Sequence, residues 1–301
     1  MWLIKHPFDI PESKKVRLII NTDAKNEADD QYAIVHALLT PRFKIAGITA
    51  AHFGTRRTHN SMEESYDEIL KVLELMDLNG EVRVTKGAKT AIPDESNAIP
   101  SEGADLIIEE AMKDDQQPLY AAFLGPITDL AIAYLKEPRI ANRLTALWIG
   151  GGAWPHGEEE FNLSNDINAA NVVFGSEIPL WVIPKNVYRL MRVSIAELAV
   201  NVKPYGAIGK YLYEQLVDFN MALGDNAEWP LGEMWHLGDS PIVSLLLDDH
   251  EYHYEMKPAP RVTEDMRYVH YQDKRLVRWY NYVDPRFTLE DMYAKLKLHY
   301  G

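Results

Sequence analysis

Between residues 16 and 39 the chain reads 16-VRLIINTDAKNEADDQYAIVHALL-39. Residues 16–20 form a short apolar run rich in β-branched side chains, as expected of a strand buried on both faces. Residues 29–39 read as a helix with Ala33, Ile34 and Leu38 on its apolar face. Between the two, Asn21-Thr22-Asp23 and Asp29-Asp30 put three carboxylates and Glu27 into one turn. A single Asp would cap the helix and favour its positive end. Two adjacent Asp with a third upstream exceed what capping needs. Like charges held close raise one another's pKa, and a bound divalent cation relieves that cost. Oxygen donors of this kind select Ca2+ or Mg2+ over Zn2+. On spacing alone, a metal-binding turn and a solvated acidic turn both stay open.

Working outward, short apolar runs at 43–50, 82–84, 119–124, 146–149 and 180–183 alternate with helical patterns at 61–76, 102–112, 128–135 and 167–174. This alternation predicts an α/β fold: a mostly parallel, open, Rossmann-like central sheet with helices on both faces. The expected organisation is one domain over 1–301, with a helix at 205–223 and residues 251–301 as a C-terminal strand and helix extension. In such sheets ligands sit beyond the carboxyl ends of the strands. The polar residues expected there are Asp23, Asp29 and Asp30, then His52, Thr128, Asp129, Glu160, Asn162 and Asn186.

Composition narrows the function. The net charge is -14 and there is no basic run, so the phosphate neutralisation that nucleic-acid binding requires is missing. An anionic membrane surface is disfavoured on the same ground. The chain has no Cys, which excludes disulfides, thiolate metal sites and Cys nucleophiles. Charges and prolines in 1-MWLIKHPFDIPESKK-15 interrupt the apolar core that a signal peptide needs. The expectation is a soluble cytoplasmic protein.

The acidic turn is not an EF-hand loop, since Gly at the sixth position and Glu at the twelfth are missing. It is not a phosphate-cradling loop, lacking a Gly-rich turn with Gly-Lys-Ser/Thr. A haloacid-dehalogenase-type phosphatase needs a nucleophilic Asp where this chain has Asn21.

Four motifs in order instead resemble the inosine-uridine-type nucleoside hydrolases. They are the turn just described, 125-GPITDLAIA-133, 149-IGGGAW-154 leading to 160-EFNLSNDINAANVVF-174, and 237-LGDSPIV-243. The closing 282-YVDPRFTLEDMYAKL-296 resembles the family's last strand and helix. The resemblance implies Ca2+-dependent hydrolysis of the N-glycosidic bond of a ribonucleoside or nucleoside-like compound, with a homo-oligomeric (dimer or tetramer) assembly. It implies a Ca2+ site made by Asp23, Asp30 and Asp239 with the main-chain carbonyl of Thr128. Asp23 would take the proton of the attacking water, Asp29 would bond the ribose hydroxyls, and Glu160 and Asn162 would hold the sugar from the other side. Anionic groups suit this chemistry, because breaking a glycosidic bond builds positive charge on the sugar.

The chain departs from the family pattern in three places. The turn is longer, with 24-AKNEA-28 between Asp23 and Asp29. Asn21 replaces the usual first Asp. Gly238 stands where several members carry a leaving-group His, so His236, or an aromatic such as Trp235, Trp154 or Tyr188, is expected to serve the leaving group. His52 and Asn186 are further candidates for sugar contact. These departures keep two alternatives in view: a glycosidase for a non-nucleoside glycoside, and a non-catalytic metal- and sugar-binding protein.

Overall fold

The computed structural model describes residues 6, 8–224, 232–248, 253–271 and 275–301. The first half alternates β1 (Val16–Thr22), α1 (Asp30–Leu38), β2 (Phe43–Ala50), α2 (Ser61–Leu75), β3 (Val84–Lys86), α3 (Glu102–Met112), β4 (Leu119–Phe123), α4 (Thr128–Lys136) and β5 (Thr145–Ile149). It continues with α5 (Phe161–Asn165), α6 (Ile167–Gly175), β6 (Leu180–Ile183), α7 (Lys185–Tyr188), β7 (Arg192–Ser194), α8 (Ile195–Asn201) and α9 (Gly206–Ala222). The remainder comprises β8 (Met234–His236), α10 (Pro241–Leu247), β9 (Tyr254–Pro258), β10 (Arg261–Val262), β11 (Tyr268–Val269), β12 (Leu276–Tyr280) and α11 (Pro285–Tyr300).

Eight strands form one sheet in the order β3-β2-β1-β4-β5-β6-β12-β9. Pairing is parallel from β3 through β12, and β9 is antiparallel to β12. The strand expected at 82–84 lies at Val84–Lys86, because β2 pairs Ile48 with Val84 and Ala50 with Lys86. The last strand also lies earlier than the closing motif implies. β12 is interior, with β6 on one side and β9 on the other, and residues 285–300 are already helical.

Side chains of a strand alternate between the two faces of a sheet, and here both faces are buried. Leu18, Ile20, Leu147, Ile149 and Ile183 pack with residues of α1, α2 and α8 to α11. Ile19, Ala121, Phe123, Trp148 and Val182 pack with α3, α4 and α6. The same parity governs the polar end of β1. Asn21 follows Ile19 and donates from Nδ2 to Asp129 Oδ2 of α4 at 2.7 Å. Thr22 follows Ile20 and donates its hydroxyl to Asp30 of α1.

Asp129 is a buried junction. It also accepts from the Ala88 N–H at 2.8 Å and the Ser101 hydroxyl at 2.6 Å, and Ser101 caps α3 through the Ala104 N–H. On the other face, α11 closes over α1: His36 Nε2 lies 2.7 Å from Asp291 Oδ2, and Lys295 donates to Thr40.

Two stability outcomes follow. Asp129→Ala strands the donors of Asn21, Ala88 and Ser101 and is expected to cost about 3 kcal/mol in denaturant unfolding, with Asp129→Asn losing less. An unchanged midpoint for Asp129→Ala would refute the junction. Burial pushes the His36 imidazole down to about 4, so the unfolded chain, titrating near ~6.5, takes up a proton first. The stability from this group is complete above that value and is lost as pH falls toward 4. His36→Gln is expected to remove on the order of 2 kcal/mol of the decline measured between pH 7 and 4.5.

Candidate active site

The order of the sheet reverses beside β1, where chain connections leave toward β2 on one side and β4 lies on the other. A crevice opens at such a switch point. There a cavity is lined by Asp23 beyond β1, Leu124 beyond β4 and Ile149 at the end of β5. Asn26, Glu27, Asp29, Asp30, Glu160, Phe161, Asn162, Tyr188, Gly238 and Asp239 complete its wall.

One side of the cavity is acidic and incompletely satisfied. Burial, then the charges of Asp30, Glu27 and Asp29, pushes the Asp23 carboxyl well above its usual range. Asp239 is raised by burial and by Asp29, Asp30 and Asp23. Asp29 is raised by burial, Glu27 and Asp30, although the Asp239 N–H donates to its Oδ2 at 3.3 Å. Burial lifts Asp30 to about 6 against the pull of the Thr22 hydroxyl. Glu27, half-buried at the rim, is raised by desolvation and Asp30 and drawn down by Arg57 and Arg189.

Asp23 Oδ2 is buried without a hydrogen-bond partner. One oxygen each from Asp29, Asp30 and Asp239 lie within 4.8 Å of one another. Oxygens bound to Ca2+ at roughly 2.4 Å stand up to about 5 Å apart across the ion, so the trio has the spacing a hard divalent cation needs. Gly125 makes room for this arrangement, since a Cβ there would meet Asp23 Cγ at 2.8 Å.

The opposite side is richly hydrogen-bonded, although burial still lifts the Glu160 carboxyl above its usual range. Glu160 accepts from the N–H groups of Gly151, Leu163 and Asn162 and from the Tyr188 hydroxyl, at 2.8 to 3.2 Å. It thereby caps α5. Asn162 Nδ2 donates to the carbonyls of Leu124 at 2.7 Å and Ile149 at 2.9 Å, tying the ends of β4 and β5.

The model of the "Inosine-uridine preferring nucleoside hydrolase" family matches residues 18–281. The chain belongs to this family. It is an N-glycosyl hydrolase of nucleosides, and the buried acidic cluster fits the metal dependence of such enzymes. The pyrimidine-specific ribonucleoside hydrolase RihA of Salmonella paratyphi A is 25% identical over 240 residues, covering 70% of this chain and 73% of its own. The purine-preferring ribonucleoside hydrolase from Gardnerella vaginalis superposes with a TM-score of 0.75 at 22% identity, over 94% of this chain and 99% of its own. The plant nucleoside hydrolase PpNRh1 gives a TM-score of 0.75 at 19% identity, over 93% and 98%. These two structural likenesses establish the α/β fold of the hydrolase.

Of the residues singled out in the sequence, Asp23, Asp29, Asp30, Asp239, Glu160, Asn162 and the aromatic candidate Tyr188 come together on the cavity wall. Thr128 does not. It opens α4, and carbonyls of a helix's first turn point along the axis to the next turn. Its hydroxyl donates to Asp166 at 2.8 Å and meets His52 Nε2 at 2.9 Å. Leu124, just beyond the preceding strand, lines the cavity instead, its carbonyl accepting from Asn162 Nδ2 at 2.7 Å.

His52 is buried behind the site, where Nδ1 accepts the Gly54 N–H. This places its proton on Nε2, facing Thr128. Asn186 is solvent-exposed on α7. Trp154 packs against His270 and Trp279, and Trp235 against Phe219. His236 lies on β8, its imidazole pushed down to about 4 by burial and by Arg189 and Arg192. None of these five lines the cavity. Asn26, Glu27, Tyr188 and Leu124 do, and the long turn is what brings in the first two. That turn is pinned by Gln31 to the Ala24 carbonyl, by Arg57 to that of Asn26 and by Gln215 to that of Ala28.

Removing one charge from this cluster should separate stability from function. Asp239→Asn is expected to raise the melting temperature in chelator by about 2 °C per kcal/mol of repulsion relieved. If the cluster holds a divalent cation, the substitution should also abolish the rise that an added cation such as Ca2+ gives the unaltered protein. A variant that melts lower in chelator and still responds to Ca2+ would contradict the crowding argument.

Proposed function

We propose that the protein is a Ca2+-dependent hydrolase that releases ribose and a free base from a ribonucleoside. The observation that carries the reading is the cavity's two-sided wall: under-satisfied carboxylates at the end of β1 and beside α10, facing Glu160, which accepts from four donors, and Asn162, whose Nδ2 is tied to two carbonyls. Asp30 and Asp239, flanked by Asp23 and Asp29, would hold the cation. When bound, Ca2+ supplies the positive charge that keeps these carboxylates ionised and makes water beside it more acidic.

The residues of the chain then divide the work. Asp23, whose Oδ2 lacks a donor, takes the proton of the attacking water. Asp29 accepts from the sugar hydroxyls. Glu160 and Asn162 hold the sugar on the far side, pre-set by the N–H groups and carbonyls that orient them. The surrounding anions stabilise the positive charge that grows on the sugar as the bond to the base breaks, without the reorganisation that water would need. RihA and the Gardnerella enzyme carry opposite base preferences in their names, so the substrate panel spans both classes. The same reading carries cytoplasmic location and a homo-oligomeric assembly, which light scattering reads directly.

The test is reducing-sugar release from purine and pyrimidine ribonucleosides, with and without chelator. Asp23→Asn is expected to lower kcat by about 10²–10⁴-fold while Ca2+ still raises the melting temperature. Ribose release that survives both chelation and Asp23→Asn would overturn this mechanism.

A further inference from the structure

Position 238 poses a question of space. The backbone of Gly238 is outside the left-handed region, so conformation does not demand glycine there. A Cβ at 238 would instead meet Tyr188 Cδ2 at 3.0 Å and Asp29 Oδ2 at 3.4 Å. The Tyr188 ring therefore occupies the volume that a side chain beside Asp239 would fill. At its other end the phenol donates to Glu160 Oε1 at 2.9 Å. One rigid ring thus spans the cavity from the acidic side to the side held by Glu160.

Main-chain bonds fix this geometry. The Tyr188 N–H donates to the Pro184 carbonyl, and the Lys185 N–H to that of Gly151. The Met191 N–H donates to the Tyr188 carbonyl, and the Leu237 N–H to that of Met191. The segment carrying Tyr188 and the segment carrying Gly238 are therefore laced together at both the backbone and the ring.

We propose that Tyr188 is a positioning and specificity residue of the sugar pocket: its ring is the wall on which the apolar face of the sugar packs, its phenol fixes Glu160, and Gly238 is the gap that admits it. This rests on the nucleoside-hydrolase reading above. An aromatic wall with few placed polar groups is how a compact pocket excludes water and selects shape. A ring already held by Glu160 contributes to binding the ground state and the transition state alike, so its loss falls mainly on KM.

The experiment is a double-mutant cycle read by ribose release from the nucleoside that the unaltered enzyme cleaves best, with the Ca2+-induced rise in melting temperature measured for every variant. Tyr188→Phe is expected to raise KM about 5-fold with kcat within about 3-fold. Gly238→Ala is expected to raise KM about 10-fold in the native background but less than about 2-fold when added to Tyr188→Ala, because the crowded ring is gone. All variants should keep the Ca2+ response.

Penalties that simply add would overturn the proposal, as would Tyr188→Phe with unchanged KM. Loss of the Ca2+ response in Gly238→Ala would also overturn it, since the substitution would then act through Asp29. An unaltered enzyme that cleaves no nucleoside would instead remove the functional reading, and the pocket assignment with it.

Discussion

Four buried carboxylates, Asp23, Asp29, Asp30 and Asp239, crowd one end of the sheet, where ionising each of them is disfavoured unless a counter-charge is supplied. Desolvation comes first for each, and mutual repulsion adds to it for Asp23, Asp29 and Asp239. The fold offers only partial compensation through the Thr22 hydroxyl and the Asp239 N–H. Glu160 is equally buried, yet it has four donors and serves as a cap and anchor. The cavity thus sets carboxylates that want a cation against one that does not. Local strain of the first kind is characteristic of functional sites, and surrounding structure must hold it in place.

What holds it is the parity of β1. Successive residues of a strand face opposite ways, so Asn21 and Thr22 act on different layers of the molecule. Asn21 ties β1 to Asp129, and through it to Ala88 and Ser101 on the α3 and α4 side. Thr22 ties the same strand to the first turn of α1. Asp23 then leaves the strand with both layers already anchored. Asn21 is therefore a neutral donor to a buried carboxylate, and an Asp in its place would face Asp129 as a like charge.

The long turn and the glycine at 238 are accommodated in the same way, by substitution of partners. Residues 24–28 do not hang into solvent: Gln31, Arg57 and Gln215 each bind one of the turn's carbonyls. Glu27 is brought to the rim as a consequence. At 238 the absent side chain is replaced in space by the Tyr188 ring, which arrives from a different strand connection.

The sequence by itself determined the alternating layers, the parallel sheet and the acidic end of β1, because apolar periodicity and the position of a turn after a strand are local properties. It also pointed to Asp23, Asp29, Asp30, Asp239, Glu160 and Asn162, which line one cavity, since each lies just beyond a strand or at a helix start. It could not decide which neighbour in a loop faces inward. Thr128 and Leu124 are four residues apart, and only the turn 125–127 puts Leu124 on the cavity wall and Thr128 at the start of a helix. Nor could it decide where long side chains from distant segments go: His52, Trp154, Trp235, His236 and Asn186 sit near the right strands yet lie off the cavity wall, and of the aromatic candidates named in the sequence only Tyr188 lines it. Those outcomes depend on packing between elements far apart in the chain, where available space rather than residue type selects the partner.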